Sequence, residues 1–492
     1  MKSKSRLSWA ALASVSMILA ACGGDDGSSS DAPATEAPAE TDAPSETDAP
    51  TTEAPAEERE ASDVGVTADT IKIAAAVADL EAVRALGISI PDTLTTEHLF
   101  DRYKVFVDDI NDAGGINGRQ LEIIPITWNP VDQSSFDVLC AEATIDNEIF
   151  ALVNGTGLSS IARKCLLDAG VVILYGDVMS TDELATNLAI SLAPPSDAVA
   201  AAAVTAWIES SGAAAGSTVG VLSNNSPSLA AAGKAAEAAL SAAGYNPVLI
   251  EINSQSGDNA AINQEGADAV GAFQAEGAVH VLVGIPFTEF TGFSNNAASA
   301  GLSYSMMDTS SSGCSPYGAT QVKPEAYGTE CTTSYDHATD GTSIRPDTEF
   351  EGYCRQVFDE NFEAYYGGKS MSGVPAGRII EDVNAKIFIS DYTPQECALM
   401  NIFKLAMEGA GVNPTRASFM ESALNLGEVD LALIGGGKGL LAPGKAFAST
   451  AVHTIRMVGA DSTTAPDANG LYNGCAAPIA CGIVVGDWVA ID

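Results

Sequence analysis

The sequence predicts an α/β protein with two lobes, each a parallel sheet flanked by helices. Short β-branched runs recur about every 20 to 50 residues, and amphipathic stretches lie between them. This alternation indicates crossover connections, which join parallel strands. The pattern breaks at Ala193-Pro194-Pro195 and then restarts with an alanine-rich helix. The folded part, from about residue 61 onward, is long enough to bury two proper cores.

Seven strands are predicted from their β-branched content. In chain order they are residues 71–75, 121–126, 150–153, 171–175, 218–222, 248–252 and 279–283. The clearest helix is predicted where Leu99, Tyr103, Phe106 and Ile110 follow one another at spacings of four, three and four. Such spacing places all four side chains on one helix face. Gly114 and Gly115 then end the helix.

The first 21 residues have the three parts of an export signal: a basic start, an apolar core from Leu7 to Leu19, and small residues before Cys22. The segment resembles a bacterial lipoprotein signal peptide. That resemblance implies that Cys22 is lipidated and anchors the protein to the bacterial cell membrane on its extracytoplasmic side. The alternatives are a plain secretory signal or a membrane span, although an apolar core of about thirteen residues is short against the roughly twenty that a span needs.

Residues 22–62 are predicted to be a disordered tether that follows the lipidated cysteine. Residues 23–60 contain twelve acids against the single base Arg59 and have no aromatic residue. Such a segment cannot bury enough apolar surface to offset its ordering entropy. Rich in proline and self-repelling, it would reach on the order of 100 Å.

The charge of the whole chain is strongly negative, at −41. This balance excludes nucleic acid as a partner, because phosphates would be repelled, and argues against binding to anionic membrane surfaces. Solubility or salt tolerance explains so much acid better than a specific cationic partner does.

Eight cysteines remain after Cys22, and an even number in an exported chain predicts disulfides. They are Cys140, Cys165, Cys314, Cys331, Cys354, Cys397, Cys475 and Cys481. Eight thiols allow 105 pairings, and we expect pairing between nearest neighbours. We expect no metal site, since only Cys475 and Cys481 lie close together and the four histidines are scattered.

Two phrases carry a family resemblance: residues 65–73, Gly-Val-Thr-Ala-Asp-Thr-Ile-Lys-Ile, and residues 110–119, Ile-Asn-Asp-Ala-Gly-Gly-Ile-Asn-Gly-Arg. They resemble the opening of extracytoplasmic solute-binding proteins of the leucine/isoleucine/valine-binding type, the type I periplasmic binding proteins. The resemblance implies two Rossmann-like lobes joined by three crossing segments. Lobe I would take residues 63–193 and 340–448, and lobe II residues 194–339 and 449–492. It also implies a Cys140–Cys165 disulfide, a small-molecule solute, an ABC permease as partner and a monomeric state.

Ligands of open parallel sheets bind beyond the carboxyl ends of the strands, where helices begin. The turn after residue 153 contains Thr156 and Gly157 and is predicted to hold a carboxylate. The resemblance adds the end of the next strand, Tyr175 and Gly176. Asp177 departs from the family pattern there, and its charge favours a cationic or uncharged solute.

An ammonium group needs an opposing carboxylate. The resemblance places Asp308 in that role, and Phe287 and Glu289 could add an aromatic wall and a second charge. Asn224 and Asn225 end the strand at 218–222 and are candidates either for the ligand or for a helix cap. Asp79, after the first strand, is another candidate for binding the ligand. Each acid has the alternative of being a solvated loop residue.

Catalytic motifs find no support in the sequence. Residues 439–446 nearly match a phosphate loop, but Ala446 replaces the hydroxyl residue that would hold magnesium. We therefore expect no enzymatic activity and no cofactor. The predicted function is the substrate-binding protein of an ABC importer, which closes its two lobes around a small polar solute such as an amino acid of the branched-chain type or a related amide. The alternative is a ligand-sensing or surface-interaction lipoprotein on the same fold.

Overall fold

A computed structural model describes most of the chain from residue 58 onward. The described residues are 58–85, 95–130, 132–155, 157–254, 258–310, 314–315, 319, 322–337, 348–362, 379–382, 387–390, 395–459 and 481–491. The predicted signal segment, Cys22, residues 23–57 of the predicted tether, Thr156 and Cys475 lie outside them. Among the helices that the structure describes, none is long and apolar enough to cross a membrane.

The chain first builds five strands, each followed by a helix or turn. The strands are β1 Thr70–Ala78, β2 Gln120–Trp128, β3 Ala151–Asn154, β4 Val172–Tyr175 and β5 Ala189–Ser191. The helices are α1 Leu80–Ala85, α2 Thr96–Asp112, α3 Ser134–Ala141, α4 Ser160–Asp168 and α5 Thr181–Leu184. The strands form one parallel sheet in the order β2-β1-β3-β4-β5. We call this sheet and its helices lobe I.

The next segment alternates helices and strands in the same way. The helices are α6 Ser196–Ser211, α7 Pro227–Ala242, α8 Asn259–Ala275 and α9 Phe287–Ala300. The strands are β6 Thr218–Asn224, β7 Asn246–Ile252, β8 His280–Gly284, β9 Tyr304–Met307 and β10 Glu330–Thr333. These five strands are parallel and lie in the order β10-β9-β8-β6-β7. All seven strands predicted from the sequence are confirmed, as is the helix through Leu99 and Ile110.

The remaining elements mostly complete lobe I, and the last three strands join lobe II. They are α10 Glu349–Phe362, β11 Ile379–Asp382, β12 Ile387–Ser390, α11 Gln395–Gly409, α12 Arg416–Ala423, β13 Gly427–Asp430, β14 Lys438–Leu441, β15 Ala451–Val458, β16 Cys481–Val484 and β17 Val489–Ala490. β11 with β12 and β13 with β14 form antiparallel pairs. β15 pairs antiparallel with β10, β16 and β17 and so extends the second sheet.

Each sheet is covered by hydrophobic side chains on both faces. In lobe I, Phe150, directly before β3, packs edge-on against Phe403 of α11 and Phe419 of α12, with ring centroids 6.4 and 5.7 Å apart. The late helices therefore complete the core that the first strands began. Burial of this kind supplies most of the stability of such helices.

The chain passes between the lobes three times, as the fold class predicts. Leu192 belongs to the lobe I core, and α6 begins four residues later in lobe II. Thr333 ends a lobe II strand, whereas Tyr335 packs in the lobe I core. Ala448 packs in lobe I, and β15 then enters the second sheet. The lobe boundaries predicted from the sequence, residues 63–193 with 340–448 and 194–339 with 449–492, remain predictions.

Three disulfides follow the expected nearest-neighbour pairing: Cys140–Cys165, Cys314–Cys331 and Cys354–Cys397. The first joins α3 to α4, and the third joins α10 to α11. Cys481 is disulfide-bonded as well. By linking elements 17 to 43 residues apart, these bonds restrict the unfolded chain.

The second phrase that carried the resemblance has a structural role. Arg119 is fully buried, and its guanidinium donates to the carbonyl oxygens of Thr67 at 2.7 Å, Glu60 at 2.9 Å and Val412. Gly115 has a φ of +75°, and a Cβ there would lie 2.0 Å from the Arg119 carbonyl oxygen. Glycine is required at this close approach, and the arginine ties the N-terminal segment to lobe I.

Candidate functional site

A cavity of about 150 Å³ lies between the two lobes, at the carboxyl ends of their strands. Lobe I contributes residues that end or follow β2, β3 and β4: Trp128, Pro130, Phe136, Gly157, Leu158, Ser159, Ser160, Ile161, Arg163, Tyr175 and Val178. Lobe II contributes residues that end or follow β6, β7, β8 and β9: Asn224, Ser226, Ser228, Leu229, Ser254, Pro286, Glu289, Thr309 and Ser310. This is the edge at which parallel sheets bind their ligands.

Three helices begin at the cavity. α4 starts at Ser160, α7 follows Ser226, and α9 follows Pro286. The Ser159 hydroxyl caps α4 by accepting from the Ile161 amide at 3.2 Å. The first N–H groups of a helix lack partners within the helix and carry a partial positive charge. The cavity wall therefore favours oxygen acceptors and negatively charged groups.

The lobes touch each other beside the cavity. The Ser228 amide, at the start of α7, donates to the Ser160 hydroxyl at 3.5 Å. The Ser228 hydroxyl lies 3.0 Å from that of Ser196, at the start of α6. Small hydroxyl residues let the starts of these helices approach closely.

A buried ion pair stands in the lobe I wall. Arg163 Nε lies 2.8 Å from Glu183 Oε1 and Nη2 lies 3.2 Å from Oε2, while Nη1 donates to the Leu158 carbonyl. The guanidinium also lies over the Tyr175 ring, 4.4 Å from its centroid. Burial alone would lower the pKa of Arg163 and raise that of Glu183, but each charge stabilises the other. The pKa of Arg163 is raised and that of Glu183 lowered.

Four buried side-chain atoms that line the cavity have no hydrogen-bond partner within the described structure. They are Trp128 Nε1, Ser254 Oγ, Thr309 Oγ1 and Ser310 Oγ. Buried polar groups in proteins are nearly always paired. Four in one cavity, contributed by both lobes, are in a position to pair with a polar ligand or with water held there.

Four of the side chains or turns that the sequence singled out line the cavity: Gly157, Tyr175, Asn224 and Glu289. Glu289 is only 3% exposed, and its carboxylate accepts from the Thr288 hydroxyl. Asn224 Oδ1 accepts from the Ser226 amide at 2.9 Å, and its Nδ2 donates to the Ser254 carbonyl at 3.3 Å. Asn224 thus both shapes the start of α7 and borders the cavity.

Other predicted residues lie outside the cavity lining and have local partners. Asp79 Oδ1 accepts from the Ala82 amide at 2.9 Å in the first turn of α1. Asp177 is fully buried, and its Oδ1 accepts from the Val178 amide at 2.8 Å. Asn225 is exposed and donates to Asn253. Gly176 donates its amide to the Asn154 carbonyl at 2.8 Å, and Phe287 packs against the lobe II core.

Asp308 lies one residue before the cavity lining, in a different environment. It is 1% exposed, and its Oδ2 accepts from the Thr333 hydroxyl. The same hydroxyl oxygen accepts from the Tyr335 amide at 3.1 Å, in the crossing segment. The structure therefore connects Asp308 to the crossing between lobes and brings Glu289, not Asp308, to the cavity.

Sequence reasoning missed Trp128, Arg163 and the three hydroxyls that lack partners. Arg163 had a usable signal, since it lies in the first turns of a helix that begins at a predicted ligand turn. In the parts of the chain that the structure describes, no group of three or more His, Cys, Asp or Glu residues could hold a metal ion.

Solved structures share this fold. A fatty acid ABC transporter substrate-binding protein from Thermomonospora curvata superposes with a TM-score of 0.57 at 14% identity, over 87% of this chain and 94% of that one. A solute-binding protein of an ABC transporter from Rhodopseudomonas palustris HaA2, in complex with p-hydroxybenzoic acid, gives 0.56 at 11% over 86% and 98%. A leucine-binding protein from Thermotoga maritima gives 0.53 at 12% over 78% and 95%.

No curated protein sequence matches the chain. The family model described as "Periplasmic binding protein" matches residues 101–464, which is well over half of the chain. That span begins in α2 and ends after β15, so it includes strands β2 to β15 and the turns that form the cavity. The chain therefore belongs to the periplasmic binding protein family.

Proposed function

We propose that this protein binds one small amino acid or related amide between its lobes and delivers it to an ABC permease. The observation that carries the proposal is the cavity itself, which places the buried carboxylate of Glu289 in the same small space as the starts of three helices. A zwitterion complements such a space, because it presents one positive and one negative group.

The two charged groups of an amino acid have separate partners. The ammonium needs a carboxylate when it leaves water, and Glu289 supplies one from lobe II. The carboxylate suits the start of α4, where Ser159 and the first amides of the helix offer donors from lobe I. A solute held in this way makes contacts with both lobes, so its binding favours the closed arrangement.

The size of the cavity limits the solute. A space of about 150 Å³ is comparable to one that holds a benzene-sized molecule. That supports a compact solute and disfavours a long alkyl chain of the kind that the name of the Thermomonospora curvata protein implies. Leucine and p-hydroxybenzoate, named for the other two structures, are nearer to this size.

A thermal-shift screen of the purified protein tests the proposal. The panel contains amino acids, amides, polyamines and aromatic acids. A ligand at a hundred times its dissociation constant stabilises by about 2.7 kcal/mol. We expect a clear rise in melting temperature with at least one amino acid or amide. If no small solute raises it, the binding proposal is wrong.

The Glu289→Gln variant tests the site. Loss of a charged hydrogen-bond partner costs roughly 1.5–3 kcal/mol, so the affinity for the amino acid should fall by about 10- to 150-fold. Glu276→Gln removes an exposed acid of lobe II and should leave the affinity unchanged. An amino acid that binds Glu289→Gln as tightly as the wild type would contradict the ammonium site.

Transport is measured separately, by uptake of the labelled solute into cells that have or lack the protein. We expect uptake to fall when the protein is deleted. Binding without any change in uptake would favour the alternative, a ligand-sensing lipoprotein on the same fold.

A further inference from the structure

We propose that the side chain of the solute carries an oxygen hydrogen-bond acceptor and that Trp128 recognises it. The protein would then select a small polar amino acid, with a hydroxyl or carboxamide side chain, over a branched-chain one. This inference rests on the proposed function, because it assumes that the solute is an amino acid bound in the cavity.

Trp128 is held rigidly in the cavity wall. It is the last residue of β2, it is 5% exposed, and its ring lies 6.1 Å from that of Phe136 at an angle of 47°. Both side chains belong to the hydrophobic cluster on one face of the lobe I sheet. The indole N–H is a donor that cannot accept, and it has no partner within the described structure. A ligand that satisfies it must therefore present an acceptor.

The opposite wall offers hydroxyls on an equally fixed backbone. The amide of Ser254 donates to Glu265 Oε2 at 2.7 Å, and the amide of Thr309 donates to the Met307 carbonyl at 2.9 Å. The two side chains are 5% and 1% exposed, and the hydroxyl oxygens of both lack partners in the described residues. Hydroxyls donate or accept, so a solute with polar atoms on this side is matched as well.

A branched-chain amino acid leaves these groups unsatisfied. Its ammonium and carboxylate are accounted for by Glu289 and the start of α4, and the rest of the molecule is alkyl. The indole N–H and the hydroxyls of Ser254 and Thr309 would then face carbon. A site that hydrogen-bonds a polar group of its solute can discriminate against the analogue that lacks this group by about 10⁴-fold. An apolar pocket discriminates between the same two solutes only weakly.

Matched pairs of amino acids test this directly. Threonine and valine share a shape and differ in a hydroxyl against a methyl group, and asparagine and leucine differ in a carboxamide against an isopropyl group. Calorimetric titration of the wild-type protein should show that at least one polar member binds about 100-fold or more tightly than its apolar partner.

The Trp128→Phe variant keeps the aromatic ring but removes the N–H. We expect it to weaken binding of the polar member by about tenfold or more and to change the affinity for the apolar partner by less than about twofold. The control is Trp207→Phe, a buried tryptophan of α6 that packs against Tyr245 and His280 away from the cavity. It should change neither affinity.

Several results would overturn the inference. Valine or leucine binding as tightly as its polar partner would do so, and so would an equal loss for both members in Trp128→Phe. If Trp128→Phe does not fold, the comparison of paired solutes on the wild type decides alone. Tight valine or leucine binding that is lost in Glu289→Gln would refute the polar side chain while leaving the proposed function intact. Failure of every amino acid and every amide to bind would refute the proposed function itself.

Discussion

Replacing Arg163 with methionine should destabilise the protein strongly, although the two side chains have similar lengths. The guanidinium and the Glu183 carboxylate are 4% and 8% exposed and are joined by two nitrogen–oxygen contacts of 2.8 and 3.2 Å. Glu183 also accepts from the amide and hydroxyl of Ser180, at 2.8 and 3.0 Å. Methionine would leave this carboxylate buried without its cation.

The magnitude follows from the desolvation of the remaining charge. Removing one partner of a buried ion pair costs about 3–5 kcal/mol, whereas removing both charges is often nearly neutral. The double variant Arg163→Met with Glu183→Gln keeps an oxygen for the Ser180 amide but buries no charge. We therefore expect Arg163→Met to lose about 3–5 kcal/mol and the double variant to recover at least half of that loss.

The neighbouring residue supplies the control. Lys164 pairs with Asp168 at 2.8 Å, but the two side chains are 61% and 66% exposed. Exposed pairs of this spacing contribute about 0.3–0.5 kcal/mol, so Lys164→Met should change stability little. Urea unfolding gives the stability of the wild type, Arg163→Met, the double variant and Lys164→Met. The reasoning is refuted if Arg163→Met is no less stable than Lys164→Met, or if the double variant is less stable than Arg163→Met.

Three further predictions concern helix packing, pH and the crossing segment. Gly266→Ala should lower the free energy of unfolding, measured with urea, by about 1–3 kcal/mol, because its Cβ would lie 2.9 Å from the backbone of Gly292 in α9. Gly271→Ala, in the same helix with open space around it, should raise that free energy by about 0.5–1 kcal/mol. Burial lowers the pKa of His453 to about 4, so the unfolded chain binds more protons than the folded protein between about pH 6.5 and 4. The melting temperature should therefore fall as the pH drops through that window, and it should fall less steeply in His453→Gln. Parallel curves of melting temperature against pH for the two proteins would contradict this. Asp308→Ala should lose the hydrogen bond from the Thr333 hydroxyl and about 2 kcal/mol of stability, and it should reduce solute affinity less than Glu289→Gln does. Unchanged stability together with abolished binding would instead show that Asp308 binds the solute.

Seven of the strands that alternate with helices were predicted from the sequence, whereas β5, β9, β10 and the strands after them were not. Runs such as residues 171–175 are continuous β-branched or aromatic segments bounded by turn residues, which is typical of strands buried on both faces. β9 and β10 have only four residues each and contain no valine or isoleucine. β15, with eight residues and three β-branched or aliphatic positions that are buried, offered a signal that was missed.

The candidate site was predictable to the level of the turn but not of the side chain. Residues at or just after the ends of β3, β4, β6 and β8, where the sequence predicts ligand-binding residues, line the cavity. Successive residues at a strand end point to opposite sides, and sequence alone does not tell which side meets the cavity. Asp308 and Thr309 show the consequence: the acid bonds to the crossing segment, and its neighbour lines the cavity. Trp128 was missed because a large aromatic side chain at the end of a strand is expected to pack in the hydrophobic core.

Hydrogen exchange with and without saturating solute tests most directly whether the solute binds between the lobes. Backbone amides exchange more slowly where binding suppresses local opening. We expect new protection in two places at once: the start of α4 around Ser160 in lobe I, and the start of α9 around Glu289 in lobe II. Protection confined to one lobe, or found only at elements remote from the cavity such as α8, would contradict a solute site formed by both lobes.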